Sequence, residues 1–194
     1  MSLPTPTTEL EAVNIMLSII GESPINSLNN EQIVDAVLAR KILSEVMREV
    51  QSEGWHFNTE INYPLVPSVG GEITLPQNCI NFDLDTCRFP RLDVVQRGSR
   101  LYDRLNHTYS FDQTLYGQMV ILLPFDEMPE AARRYCLIRA GRIFQDRTVG
   151  SEVLNGFNRL DEARARAILV GSEAENDDLN ILSDSWSVAN ILWR

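Results

Sequence analysis

The chain has 194 residues, 44% of them hydrophobic and 23% charged, which suits one compact domain, or a main domain with one insertion, and excludes a disordered chain. Twenty-seven Asp and Glu stand against 17 Lys and Arg, a formal charge of −10. That balance argues against a nucleic-acid reader, whose affinity comes from a basic stripe that neutralises phosphates. The densest basic stretch, Arg133, Arg134, Arg139, Arg142 and Arg147, is flanked by acidic residues.

Residues 1–8 are polar and rich in Pro and Thr, without the charged and apolar regions of a signal peptide. Apolar runs fall far short of a membrane span, so the expectation is a soluble chain made in the cytoplasm. A first helix is expected over residues 8–20, capped by Thr7 or Thr8, with Glu11 completing a capping box. Leu10, Val13, Leu17 and Ile20 recur at helical spacing, and Gly21 and Pro24 end the run. A second helix is expected over 30–53. Ala36, Ala39, Leu43, Val46, Met47 and Val50 line one face, widened by Ile33, Val37 and Leu38, and Gly54 closes it. The short connection predicts an antiparallel helical hairpin.

From residue 55 to 124 the period shortens. Strand-like runs are read at 55–63, 72–75, 81–85, 92–96, 100–104 and 118–123, separated by Pro and Gly breakers that include Gly117. Arg97-Gly98-Ser99 reads as a hairpin turn. A third helix starts near Pro129, a residue suited to the first helical position, with Asp126, Glu127 and Glu130 at the positive end of its dipole. Its stripe is Cys136, Leu137, Ala140 and Phe144. A fourth helix is expected over 151–170, with Val153, Phe157, Leu160, Ala163 and Ala167 inward and Glu162–Arg166 as an i,i+4 pair. Residues 171–194 begin acidic and become apolar: Leu179, Ile181, Leu182, Trp186, Val188, Ile191, Leu192 and Trp193. Such a terminus either folds back on its own core or docks on a partner.

The expected class is α+β. Four helices form an antiparallel bundle (1–54 and 125–170), a β-rich antiparallel domain (55–124) is inserted between helices 2 and 3, and an extended tail (171–194) serves for docking.

Little in the chain suggests chemistry. Cys79, Cys87 and Cys136 are odd in number and widely spaced, with no zinc pair or disulfide framework, and read as reduced thiols. An approach of Cys79 to Cys87 across a hairpin stays open. His56, within Trp55-His56-Phe57, reads as a strand residue beside core aromatics. His107, Ser110 and Asp112 share one short loop, whereas triad members usually come from separate elements. The pairs Asp83/Asp85 and Asp126/Glu127 leave open a glycan hydrolase using paired carboxylates, although such pairs usually are solvated or cap helices. There is no phosphate-binding glycine motif. No catalytic residue, cofactor or metal is expected.

Several segments, taken in order, carry a resemblance. They are Ala12-Val13-Asn14, Ser18-Ile19-Ile20-Gly21-Glu22 with Pro24, Ala39-Arg40-Lys41-Ile42-Leu43, and Gln51-Ser52-Glu53-Gly54-Trp55-His56-Phe57-Asn58. Arg97-Gly98, Leu101-Tyr102-Asp103-Arg104 and Phe125-Asp126-Glu127-Met128-Pro129-Glu130 follow. In this combination the chain resembles the tail tubular protein A family of T7-like short-tailed phages. The resemblance implies a structural subunit and not an enzyme. It would sit in the virion tail as a dodecameric ring between the portal protein and the tail nozzle protein. Double-stranded DNA would pass through the lumen without sequence-specific binding, and no membrane is involved. The resemblance also implies that the C-terminal segment reaches the portal. The eight apolar residues from Leu179 to Trp193 are the expected portal-binding set.

Overall fold

The computed structural model describes residues 5–29, 33–148, 150 and 152–176, with the backbone alone at 152–158. Among the described residues, four α-helices and five strands are formed: α1 Glu9–Ile19, α2 Val34–Gln51, β1 Thr59–Leu65, β2 Cys79–Leu84, β3 Val94–Arg97, β4 Arg100–Asp103, β5 Leu115–Ile121, α3 Glu130–Thr148 and α4 Glu152–Asn176. The class is thus mixed helix and antiparallel sheet, as expected. The chain divides into two compact units. One comprises Met1–Leu43 and Pro129–Arg194, and the other is Ser44–Met128. The boundary falls inside α2.

In the helical unit, the Thr8 hydroxyl caps α1 by accepting the Glu11 N–H at 3.3 Å. Gly21, at φ +81°, closes the helix, and the Glu22 N–H returns to the Leu17 carbonyl at 3.0 Å. Asn14 then holds the following loop with both ends of its amide. Its Oδ1 accepts the Ile25 N–H at 2.8 Å and its Nδ2 donates to the Ile25 carbonyl at 3.0 Å. The core is built from Ala12, Val13, Met16 and Leu17 of α1, Ala132, Tyr135, Cys136, Ala140 and Phe144 of α3, and Ala165 and Leu169 of α4. Gly141 permits a close approach of α1, since a Cβ there would stand 2.9 Å from Ile19 Cδ1. Glu130 ties the N-terminal segment to the start of α3, accepting from the Thr7 N–H at 2.9 Å and hydroxyl at 2.7 Å.

The α4 helix departs from expectation. It continues through Gly171 to Asn176, and Leu160, Ala163 and Ala167 are exposed. Val153 and Phe157 fall where only the backbone is described. Among the described side chains the covered positions are Glu162, Ala165, Arg166, Leu169, Ser172 and Glu173. Polar contacts decide this face. Glu162 meets Arg142 and, at 3.8 Å, Arg139, while Arg166 donates to the buried Tyr135 hydroxyl at 3.2 Å. Only Ala165 and Leu169 of this face are apolar and its other members are polar or charged, so an apolar stripe was read instead through Leu160, Ala163 and Ala167. The α2 start differs too: Ile33 and Val37 are exposed and do not widen the buried face.

In the sheet unit, β5 is the centre of a three-stranded antiparallel sheet in the order β1-β5-β2, and β3-β4 form a hairpin. Leu65, Phe82, Leu84, Leu101, Leu115 and Met119 lead its core, joined by Ile73, Leu75 and Phe111 from the connections. Residues 72–75 form only isolated bridges, Glu72 with Ser110 and Thr74 with Arg100. Gly117 lies within β5 and does not break it. A Cβ there would come within 2.1 Å of the Asp83 carbonyl oxygen and 2.7 Å of the Phe82 ring, so the neighbouring strand needs a glycine at this point. Gly98, at φ +63°, makes the β3–β4 turn, pairing Arg97 with Arg100 as the sequence indicated.

Candidate docking surfaces

An apolar groove of about 560 Å3 opens on the helical unit. Its floor and walls are Ile15 and Ile19 of α1, Leu137 and Ile138 of α3, and Ala165 and Ile168 of α4. Arg134, Arg142, Arg164 and Asp161 stand at its rim. Arg142 is engaged by Glu162 and, at 3.3 Å, by Asp146, and Arg164 by Asp161 at 3.3 Å. Such a lining suits an apolar segment with acidic companions and holds no constellation of acid, base and nucleophile.

On the sheet unit the outer face of the β3–β4 hairpin carries stacked arginine and tyrosine. Alternation puts Leu101 and Asp103 inward and Arg100 and Tyr102 outward. The Arg97 guanidinium lies 3.6 Å from the Tyr102 ring centroid, Arg100 lies 4.6 Å from that of Tyr109, and the two rings meet edge-on at 4.8 Å. Nearby, Arg88 covers Tyr116 at 4.8 Å. Arginine and tyrosine are the residues that protein interfaces favour. Sequence reasoning missed this face. Its signal was the run of Arg88, Arg91, Arg97, Arg100 and Arg104 with Tyr102, Tyr109 and Tyr116 close by in sequence.

Beneath it, Asp103 is inaccessible to solvent. Burial pushes its pKa up. The Asn106 side-chain amide and the backbone N–H groups of Leu105, Asn106 and Asp93 donate to the carboxylate, and together they hold it below its ordinary value. Those bonds run from 2.6 to 3.5 Å. They shape the loop in which His107 adopts φ +53° and meets the Tyr102 hydroxyl at 3.4 Å.

The residues singled out for chemistry are dispersed into structural roles. Ser110 bridges to Glu72, and among the described residues no hydrogen bond joins His107, Ser110 and Asp112 to one another. Asp83 and Asp85 border one shallow hollow with Asn62 and Gln118. Asp85 is committed to a turn, accepting the Cys87 and Arg88 N–H groups at 3.0 and 3.2 Å. Asp126 and Glu127 lie in the 3-10 turn Phe125–Glu127 before α3. His56 is exposed in the 3-10 turn His56–Asn58 and is not a strand residue. Asn58 forces that turn, because its Oδ1 takes the Trp55 N–H at 2.8 Å before β1 begins. All three cysteines are free thiols. Among the described residues no cluster of three or more His, Cys, Asp or Glu fits a metal ion, and no helix is long and apolar enough to cross a membrane. The expected portal-binding residues Leu179, Ile181, Leu182, Trp186, Val188, Ile191, Leu192 and Trp193 lie outside the described residues.

An apolar groove and an arginine–tyrosine face are surfaces of the kind that protein interfaces use. A model of the tail tubular protein family matches residues 10–179, and the chain belongs to that family of structural phage-tail proteins. It is 31% identical over 124 residues to "Tail tubular protein A" of Klebsiella phage KP34. That match spans 64% of this chain and 64% of the relative's length.

Proposed function

We propose that this chain is the head-to-tail adaptor subunit of a phage tail, built into the virion after synthesis in the bacterial host cytoplasm. Copies form a dodecameric ring between the portal and the tail nozzle, through which genome DNA is retained and then ejected. The observation that carries the reading is the family match over residues 10–179, most of the chain. Two physical features support it. A cyclic ring needs two different complementary surfaces on each subunit, and the groove and the arginine–tyrosine face are chemically distinct candidates. Twelve copies at −10 carry roughly −120 formal charge, which disfavours adhesion of phosphate to the wall of a DNA channel.

In this reading the apolar residues from Leu179 to Trp193 anchor the ring on the portal. The test is to mix the protein with its cognate portal and measure the mass of the complex by light scattering, with electron microscopy of the product. A stoichiometric ring on the portal is expected, lost on deletion of residues 179–194 while the circular dichroism of the rest is kept. A well-folded protein that leaves the portal unchanged refutes the adaptor reading. A truncated protein that still caps the portal refutes the anchor alone.

A further inference from the structure

The groove of the helical unit presents apolar side chains to water: Ile15, Ile19 and Ile168 are 40, 42 and 57% exposed. One of its walls, α4, is described to Asn176, and residues 177–194 follow in the sequence. Ile168 stands about 12 Å from Asn176 at 1.5 Å rise per residue. The segment that follows could span about 60 Å if extended, so it can turn back to the groove with ample slack. Its chemistry matches the site. Asp177, Asp178 and Asp184 complement a rim on which Arg134 is exposed and has no acidic partner among the described residues. Its eight large apolar residues complement a lining of Ile, Leu and Ala.

We infer that in the free subunit the groove is the seat of the chain's own C-terminal segment, residues 177–194. The tether decides in favour of the same chain over a second copy. Tethering to the same chain sets an effective concentration of about a millimolar, far above the micromolar concentration at which a neighbouring copy would compete. Seating also covers, in one step, two apolar surfaces that a soluble subunit otherwise leaves exposed. The seat is a property of the free subunit and does not depend on what the segment meets in the assembled tail.

The test places a photoreactive benzoylphenylalanine at position 168 of the full chain, or at position 170 as a control. Val170 is also exposed on α4 but does not line the groove. After illumination at low micromolar concentration, cross-linked peptides are mapped by mass spectrometry in species separated by mass. The expected result is a link from 168 to a peptide within 177–194, in the monomer-mass species and not from 170. Ile15→Asp, across the groove, should reduce that link about tenfold by putting a charge on the apolar seat. Links found only at dimer mass would assign the segment to a second copy and overturn the proposal. So would links equal from 168 and 170, or none to the segment. The comparison of 168 with 170 decides the matter even where Ile15→Asp perturbs folding.

Discussion

Gln51 is the residue whose removal tests most directly how the sheet unit is held. Its side chain is fully buried. Its Oε1 accepts the Leu123 N–H at 2.7 Å, and its Nε2 donates to the Leu123 carbonyl at 3.1 Å, with Met128 sulfur at 3.5 Å. One amide thus satisfies both backbone groups of a residue just past β5. Its own backbone carbonyl accepts from Asn58 Nδ2 at 2.9 Å, and the same Nδ2 reaches the Ile121 carbonyl at 2.9 Å. Gln51→Met keeps the volume and removes both bonds. A buried polar group left unpaired costs about 1–3 kcal/mol. Leu123 is only half-buried, and water can recover part of that loss, so the expected destabilisation is about 2–4 kcal/mol. With m near 2 kcal/mol/M in urea, the midpoint should fall by about 1–2 M. Trp55 reports locally, since its indole N–H donates to the Val50 carbonyl at 2.8 Å. Urea titration should follow its emission in a chain carrying Trp186→Phe and Trp193→Phe. A shift below about 0.3 M would refute the clamp as a source of stability.

Asp103→Asn should destabilise the protein at neutral pH, because the carboxylate's folded pKa lies below its unfolded value. A depressed carboxylate contributes stability above its unfolded pKa, ordinarily near 3.8, and loses it as pH falls through the lower folded value. The gap between wild type and variant in urea midpoint should therefore be constant from pH 7 to about 5 and narrow below about 4. A gap independent of pH would show that the charge is irrelevant. Gly171→Ala should stabilise by about 0.5–1 kcal/mol, since Gly171 is helical and a Cβ there meets nothing within 4 Å; a lower thermal midpoint would contradict this. Burial pushes the Cys136 thiol up to about 12, with the nearby Arg139 charge pulling it partly back. Iodoacetamide at pH 8 should therefore label exposed Cys87 promptly and Cys136 only in denaturant. Equal labelling rates in the native protein would count against the buried placement of Cys136.

The motifs that carried the family resemblance turn out to be places where the fold is fastened. Asn14 clamps Ile25, Gln51 and Asn58 clamp the end of β5, Gly21 closes α1, Asp103 organises the hairpin loop, and Glu130 secures Thr7. Gln51, Asn58 and Glu130 act through partners far along the chain, whereas Gly21, Asn14 and Asp103 act within their own helix end or loop. Sequence shows the residue type and hides the partner. Elements with strong local signals were legible: the Thr8 cap, the Gly98 turn and the apolar stripe of α3. Elements decided by tertiary contact were not. The α4 face follows Arg–Glu and Arg–Tyr contacts, the 3-10 turn at His56–Asn58 follows the Asn58 side chain, and Gly117 sits mid-strand because β2 crowds it. The groove escaped notice because its three walls are brought together from α1, α3 and α4, and no single stretch of sequence displays it.

The disposition of the arginines bears on the proposed passage of DNA. A basic residue attracts a phosphate only to the extent that its charge is uncommitted, and DNA affinity grows with the number of phosphates neutralised. On the sheet unit, Arg100 pairs with Glu72 at 2.7 Å, Arg104 with Asp93 at 3.5 Å, and Arg88 with Asp85 at 3.8 Å. Arg97 lies over the Tyr102 ring. On the helical unit, Arg142 and Arg139 converge on Glu162, and Arg40 meets Glu9 at 3.0 Å. Exposed pairs of this kind add little stability. Their effect is on the field: they cancel positive charge locally and leave the carboxylates in excess at longer range. Seven of the 17 basic side chains are committed in this way, in a chain whose formal charge is already −10. That is the electrostatic character a wall needs if a polyanion is to slide along it and not adhere. It is reached by pairing the arginines within each subunit while keeping them available to stack and hydrogen-bond at protein interfaces.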